Sequence, residues 1–252
     1  MALSTSRASI SSERLALLEQ GVVESKTLTE ALAVNQTELF RTVFPDASSE
    51  LLNEIAATET LGIAARMRTI GAALLTHLPE SSVARLVDHT SDTARGWWCF
   101  WIASNPEIDT PEHILTRIQP SADDPHFAVR EWAWLATRPK LSERLNESIQ
   151  VLSTWTDSDS ERIRRFASES LRPRGVWCKH IAELKKHPEL GSPILEPLRS
   201  DTSKYVQDSV ANWINDAAKS QPEWALELAA RWSSESPTPQ TQRIVRRGLR
   251  SM

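Results

Sequence analysis

Two carboxylates, Glu131 and Asp216, stand where a purely structural chain has little use for them, and a third, Glu169, lies between two arginines. Glu131 falls on a helical pattern whose i−4, i+3 and i+4 neighbours are Phe127, Trp134 and Leu135, with Trp132 beside it. A carboxylate among aromatics is partly desolvated and is rarely placed there without a cation. It is read either as half of an ion pair with an arginine of the next helix or as a working acid. Asp216 ends a stripe Asp208, Asn212, Asp216 at i, i+4 and i+8, at the edge of the apolar stripe Val206, Val210, Trp213, Ile214, Ala217. That stripe is either a solvated face or more acid than a basic groove requires. Glu169 has Arg165 at i−4 and Arg172 at i+3, so it is a salt-bridge residue first and a site residue second. Trp177 follows the loop Arg172-Pro173-Arg174-Gly175. Its indole either offers a π face to a cation or caps the end of a repeat.

These residues need helices to hold them, and the chain reads as helices throughout. It has 252 residues, 40% hydrophobic and 25% charged, with seven glycines, too few for a many-turned all-β protein. No run approaches the ~18 apolar residues of a membrane span, and no apolar run after the N-terminus suits a signal peptide. Two cysteines, Cys99 and Cys178, support neither a disulfide framework nor a cysteine-based zinc site. The expectation is a cytoplasmic, mainly helical monomer. Residues 1–27, rich in Ser and Thr, read as an arm, flexible in its attachment, and 28–252 as one folded body. Prolines, among them Pro111, Pro120, Pro139 and Pro222, are expected between helices.

A short pattern recurs: Ala94-Arg95-Gly96-Trp97-Trp98, Val129-Arg130-Glu131-Trp132-Ala133, Ile163-Arg164-Arg165-Phe166-Ala167, Val206-Gln207-Asp208-Ser209-Val210 and Val245-Arg246-Arg247-Gly248-Leu249. The copies stand 35, 34, 43 and 39 residues apart. Most follow an acidic or Ser/Thr turn, so each is expected to open a capped helix. This period predicts an all-α fold, a right-handed α-solenoid of HEAT-like repeats. Its concave groove would be basic, edged by Arg130, Arg164, Arg165, Arg246 and Arg247 together with helix N-termini suited to phosphate. The alternative is that these arginines pair with carboxylates of neighbouring repeats. Charge is unevenly spread in the same sense: residues 1–126 sum to −8 and residues 127–252 to +4.

Three stretches, Val129–Leu135, Arg164–Arg174 and Tyr205–Lys219, resemble the HEAT-like-repeat DNA glycosylases of bacterial alkylation repair, and the last is most like the AlkC branch. The resemblance covers roughly residues 28–250. It implies hydrolysis of the N-glycosidic bond of cationic methylated bases, chiefly 3-methyladenine, in double-stranded DNA, without metal or cofactor. It implies Glu131 and Asp216 as the essential acids, Glu169 as a further one and Trp177 as the site tryptophan. Arg172, Arg174, Lys204, Asn212 and Lys219 join the repeat arginines as expected DNA contacts. The competing expectation is a catalytically silent solenoid that binds DNA, since a fold alone never settles a reaction. A protein-interaction scaffold would instead predict apolar groove residues.

Overall fold

The computed structural model describes residues 10–175 and 178–252, and every regular element among them is helical. In chain order these are α1 (Ser12–Glu19), α2 (Leu28–Ala33), α3 (Gln36–Val43), α4 (Ser49–Ala57), α5 (Ile63–His77), α6 (Glu80–Ala84), α7 (Asp92–Ser104) and α8 (Pro111–Ala122). There follow α9 (Phe127–Glu143), α10 (Leu145–Thr154), α11 (Glu161–Ser170), α12 (Ala182–Lys186), α13 (Ser192–Leu195), α14 (Lys204–Ala218), α15 (Pro222–Glu235) and α16 (Pro239–Gly248). Two compact units result: residues up to Asp109 with Asp124–Ala136, and Thr110–Asp123 with Thr137–Met252. The division passes through α9.

Helices that pack together most closely are a repeat apart in the chain rather than adjacent in it. In the first unit α5 lies on α7; in the second, α11 lies on α14 and α14 on α16. That is the contact pattern of stacked repeats. Side-chain caps start the stacked helices: Ser91, Ser160, Ser203 and Thr238 accept from the amides of Ala94, Arg162, Tyr205 and Thr241. In the first unit Gly71 lets α5 lie directly against α7, because a Cβ there would stand 2.5 Å from the Phe100 carbonyl carbon. Trp97, Phe40, Leu51, Ile55 and Met67 fill that unit, and Trp213, Trp232, Phe166 and Leu152 the other. The Trp97 indole N–H is satisfied by Gln36 Oε1 at 3.0 Å.

Three expectations are corrected. The fifth repeat copy does not open a helix, because Thr238 caps α16 and Pro239 occupies its first turn. The residues in register are therefore Thr241-Gln242-Arg243, and Arg246 and Arg247 fall in the last turn, where the helix dipole favours cations. Pro120 and Pro139 do not punctuate helices but lie inside α8 and α9. The segment 10–27 is pinned rather than loose over its length. It carries α1, buries Leu18, ties Arg14 to Glu30 at 2.8 Å, and places Ser25 on Asp92 through bonds of 2.9 and 2.7 Å.

Candidate functional site

Three of the repeat arginines, Arg95, Arg130 and Arg164, have one job in common. Arg95 Nη1 donates to the carbonyls of His89 and Thr90, Arg130 Nη1 to those of Asp124 and Pro125, and Arg164 Nη1 to those of Ser158 and Asp159. Each reaches back five and six residues to close the turn ahead of its own helix. Gln207 does the same to the Asp201 carbonyl at 2.7 Å. Within the units the ladder continues to a carboxylate of the next turn. Arg95 meets Asp124 at 2.8 Å, and Arg164 grips Asp201 through Nε at 2.7 Å and Nη2 at 3.1 Å. The alternative of pairing between neighbouring repeats is thus what the structure shows for Arg164, whose donors are committed to the stack rather than aimed at phosphate. Arg165 is buried, with its guanidinium 4.9 Å from the Tyr205 ring and 3.7 Å from Glu169.

Glu131 lies half-buried on the part of α9 that belongs to the first unit, and its Oε2 accepts the Trp134 indole N–H at 2.8 Å. Its neighbour at i+3 therefore supplies a polar contact as well as an apolar wall.

In the second unit two further acids converge on one guanidinium. Arg172 Nη1 donates to Glu169 at 2.7 Å, while its Nε and Nη2 donate to Asp216 Oδ2 at 2.9 and 2.8 Å. Both acids are buried, Glu169 at the C-terminal end of α11 and Asp216 near that of α14. Ser209 Oγ donates to the other Glu169 oxygen at 2.7 Å. Burial pushes the two carboxyls up alike, but the outcomes differ. For Glu169 the pull of Arg165 and Arg172, with the Ser209 bond, prevails and holds it below the ordinary carboxylate range. For Asp216 burial outweighs Arg172 and Lys219, with Glu169 adding to the rise, and the carboxyl lies above its usual value. Lys219 stands 3.7 Å from its Oδ1.

The other expected contacts scatter. Arg174 closes the end of α14, donating to the Asp216 carbonyl at 3.2 Å and to Ser220 Oγ at 2.5 Å. Asn212 accepts from Arg250 at 2.8 Å, and Asp208 pairs with Arg243 at 2.7 Å and Arg247 at 2.9 Å. The stripe Asp208–Asn212 is therefore matched by α16 and by Arg250 just after it. Lys204 and Arg246 are exposed and make no ion pair among the described residues. Trp177 lies outside the described residues. Among those described, no three histidine, cysteine, aspartate or glutamate side chains gather as metal ligands.

One residue beside this cluster escaped the sequence reading. Arg138, also on α9 but in the second unit, is 2% exposed, and its guanidinium is held by backbone carbonyls alone among the bonds described. Its signal was available: a charge four residues after Trp134 and three before Leu141, inside a core stripe.

Repeat-stacked helices and buried acids gathered on one arginine define an α-solenoid with a carboxylate-lined candidate site. The chain is similar over 99% of its length to the Pseudomonas fluorescens alkylpurine DNA glycosylase AlkC, solved bound to DNA containing an abasic site analog. The TM-score is 0.70, identity is 25%, and 65% of that chain is covered. The resemblance to the AlkC/AlkD superfamily of HEAT-like glycosylases, read first from three stretches of sequence, is thereby supported along the whole fold. Among curated proteins it is 38% identical over 117 residues to the uncharacterized protein YhaZ of Bacillus subtilis, a match spanning 46% of this chain and 32% of that protein. The chain thus spans less than two thirds of either relative. No family model matches it.

Proposed function

We propose that the chain is a monofunctional DNA glycosylase, hydrolysing the N-glycosidic bond of cationic alkylated bases, chiefly 3-methyladenine, in duplex DNA. The observation that supports this most is the likeness of nearly the entire chain to a DNA-bound AlkC. The acids carried over from the sequence resemblance, Glu131, Glu169 and Asp216, are consistent with it.

The chemistry suits acids of this kind. An N3- or N7-methylated purine already carries positive charge and leaves without an added proton. What remains of the barrier is oxocarbenium character on the deoxyribose, which a preorganised carboxylate near C1′ stabilises and a second can relieve by orienting water. In this reading Asp216 and Glu131 are the two acids carried over from the sequence resemblance. Glu169 holds Arg172 in place. The sequence resemblance assigns Trp177, outside the described residues, as the expected partner of the cationic base. Phosphate contact falls to the exposed Lys204 and Arg246. Neutral lesions, whose glycosidic bond is stronger, are poor substrates.

The experiment is release of free 3-methyladenine from methylated duplex DNA, abolished in Glu131→Gln and in Asp216→Asn while both variants stay folded. Full activity in both would remove the mechanism. A DNA-binding protein without chemistry is the second reading, and one observation favours it: Asp216 Oδ2 is already taken by Arg172. Tight binding of duplex with no base released from any methylated substrate would establish it.

A further inference from the structure

Arg138 is a cation sealed inside the second unit, and burial draws its pKa below the usual arginine value. A buried charge is costly unless its donors are well used. Here Nη1 donates to the Ser170 carbonyl at 2.8 Å, Nη2 to the Arg172 carbonyl at 2.5 Å, and Nε and Nη2 to the Lys179 carbonyl at 3.4 Å. Ser170 ends α11, and its carbonyl is among those a helix leaves without an internal partner. Arg172 and Lys179 lie on opposite sides of the connection to α12. One planar fork therefore closes the entry and exit of the same loop, a task for several fixed donors rather than a point charge.

The loop is fastened on its other side to α14. Arg172 grips Asp216 and Glu169, and Arg174 reaches the Asp216 carbonyl and Ser220. The residue whose carbonyl Arg138 holds most tightly is the one whose side chain orients Asp216. We infer that Arg138 is a positioning residue for the reaction proposed above: it sets the register of the loop after α11, so that the Arg172 guanidinium stays on Asp216, and does so without touching DNA. This inference rests on the glycosylase reading for its kinetic part alone.

The test is Arg138→Lys, with Arg138→Met beside it, in the full chain. Lysine keeps the charge but cannot span three carbonyls; methionine keeps only length. Arg138→Lys should fold cooperatively, bind duplex DNA within about twofold of the parent, and lose ~10²-fold in single-turnover 3-methyladenine release, the scale expected for misplacement at a reacting centre. Arg138→Met should lose at least as much. The second readout needs no activity: NMR titration of the Asp216 carboxyl, whose charged surroundings are Arg172, Lys219 and Glu169. In Arg138→Lys it should titrate at higher pH than in the parent, because its arginine is less firmly held. If the parent releases no base, the glycosylase reading fails and the titration alone decides the positioning role. An Arg138→Lys variant that fails to fold, or that folds with parental release or a parental Asp216 titration, overturns the proposal and leaves Arg138 a stability residue.

Discussion

Arg164 and Arg172 stand at the two ends of the same short stretch of chain and meet carboxylates with nearly the same geometry, yet the pairs are finished differently. Asp201 is saturated: Arg164 takes both its oxygens, and Oδ1 also accepts the Ser203 amide at 2.8 Å. Asp216 gives Oδ2 to Arg172, while among the described residues its Oδ1 has only Lys219, at 3.7 Å. The first pair is closed on itself and ties one repeat to the next. The second keeps an oxygen in hand and carries a carboxyl that burial has made reluctant to ionise. An arginine–aspartate pair is therefore no evidence of a structural role until both oxygens are accounted for.

The comparison breaks most directly at the acids. Asp216→Asn should reduce 3-methyladenine release by ~10²–10³-fold, whereas Asp201→Asn, measured as rate per folded molecule, should leave it unchanged. Equal losses in both would erase the distinction. Stability should separate the arginines next. Arg172→Met leaves two buried acids without their shared cation and should cost about 3–5 kcal/mol in urea unfolding. Arg164→Met strands one buried acid rather than two, and that acid, Asp201, keeps its bond from the Ser203 amide, so the cost should be smaller.

A pH series sharpens the contrast within the cluster. Glu169 sits below its ordinary pKa, so its ionised form adds stability above the carboxylate range, and that is lost as pH falls through the lowered value. Asp216 sits above its ordinary value, so its contribution is present in acid and lost as pH rises through the raised value. Glu169→Gln should therefore be less stable than the parent at pH 7 and approach it in acid. Asp216→Asn, which leaves Arg172 its bond to Glu169, should match or exceed the parent at pH 7. Denaturation midpoints moving the same way for both would contradict the assignment. The smallest effect belongs to exposed cations. Lys204→Ala and Arg246→Ala should each lower the salt dependence of duplex binding by about one unit of slope, with stability unchanged within ~0.5 kcal/mol.

Legibility in the sequence followed the range of the interaction. Ser91, Ser160 and Ser203 announce helix starts because a cap acts within three residues. The partners of Glu169 were readable because Arg165 and Arg172 lie one turn away on either side. Asp201 was only a possibility for Arg164, since 37 residues separate them and nothing local records the pairing. The last repeat was misplaced because Arg246-Arg247 mimics Arg164-Arg165 in composition, while the true register is set by Thr238 and Pro239. Arg138 stayed hidden for a further reason: its partners are backbone carbonyls, which every residue has and no sequence displays.

The fit of α16 against α14 carries its own consequence. Arg243 and Arg247 bracket Asp208, Arg250 reaches Asn212, and Asn215 donates to the Gly248 carbonyl at 3.1 Å. Sliding one helix past the other by a single turn, ~5.4 Å, would set every one of these teeth against the wrong notch. These contacts therefore share one register and would be lost together in any other.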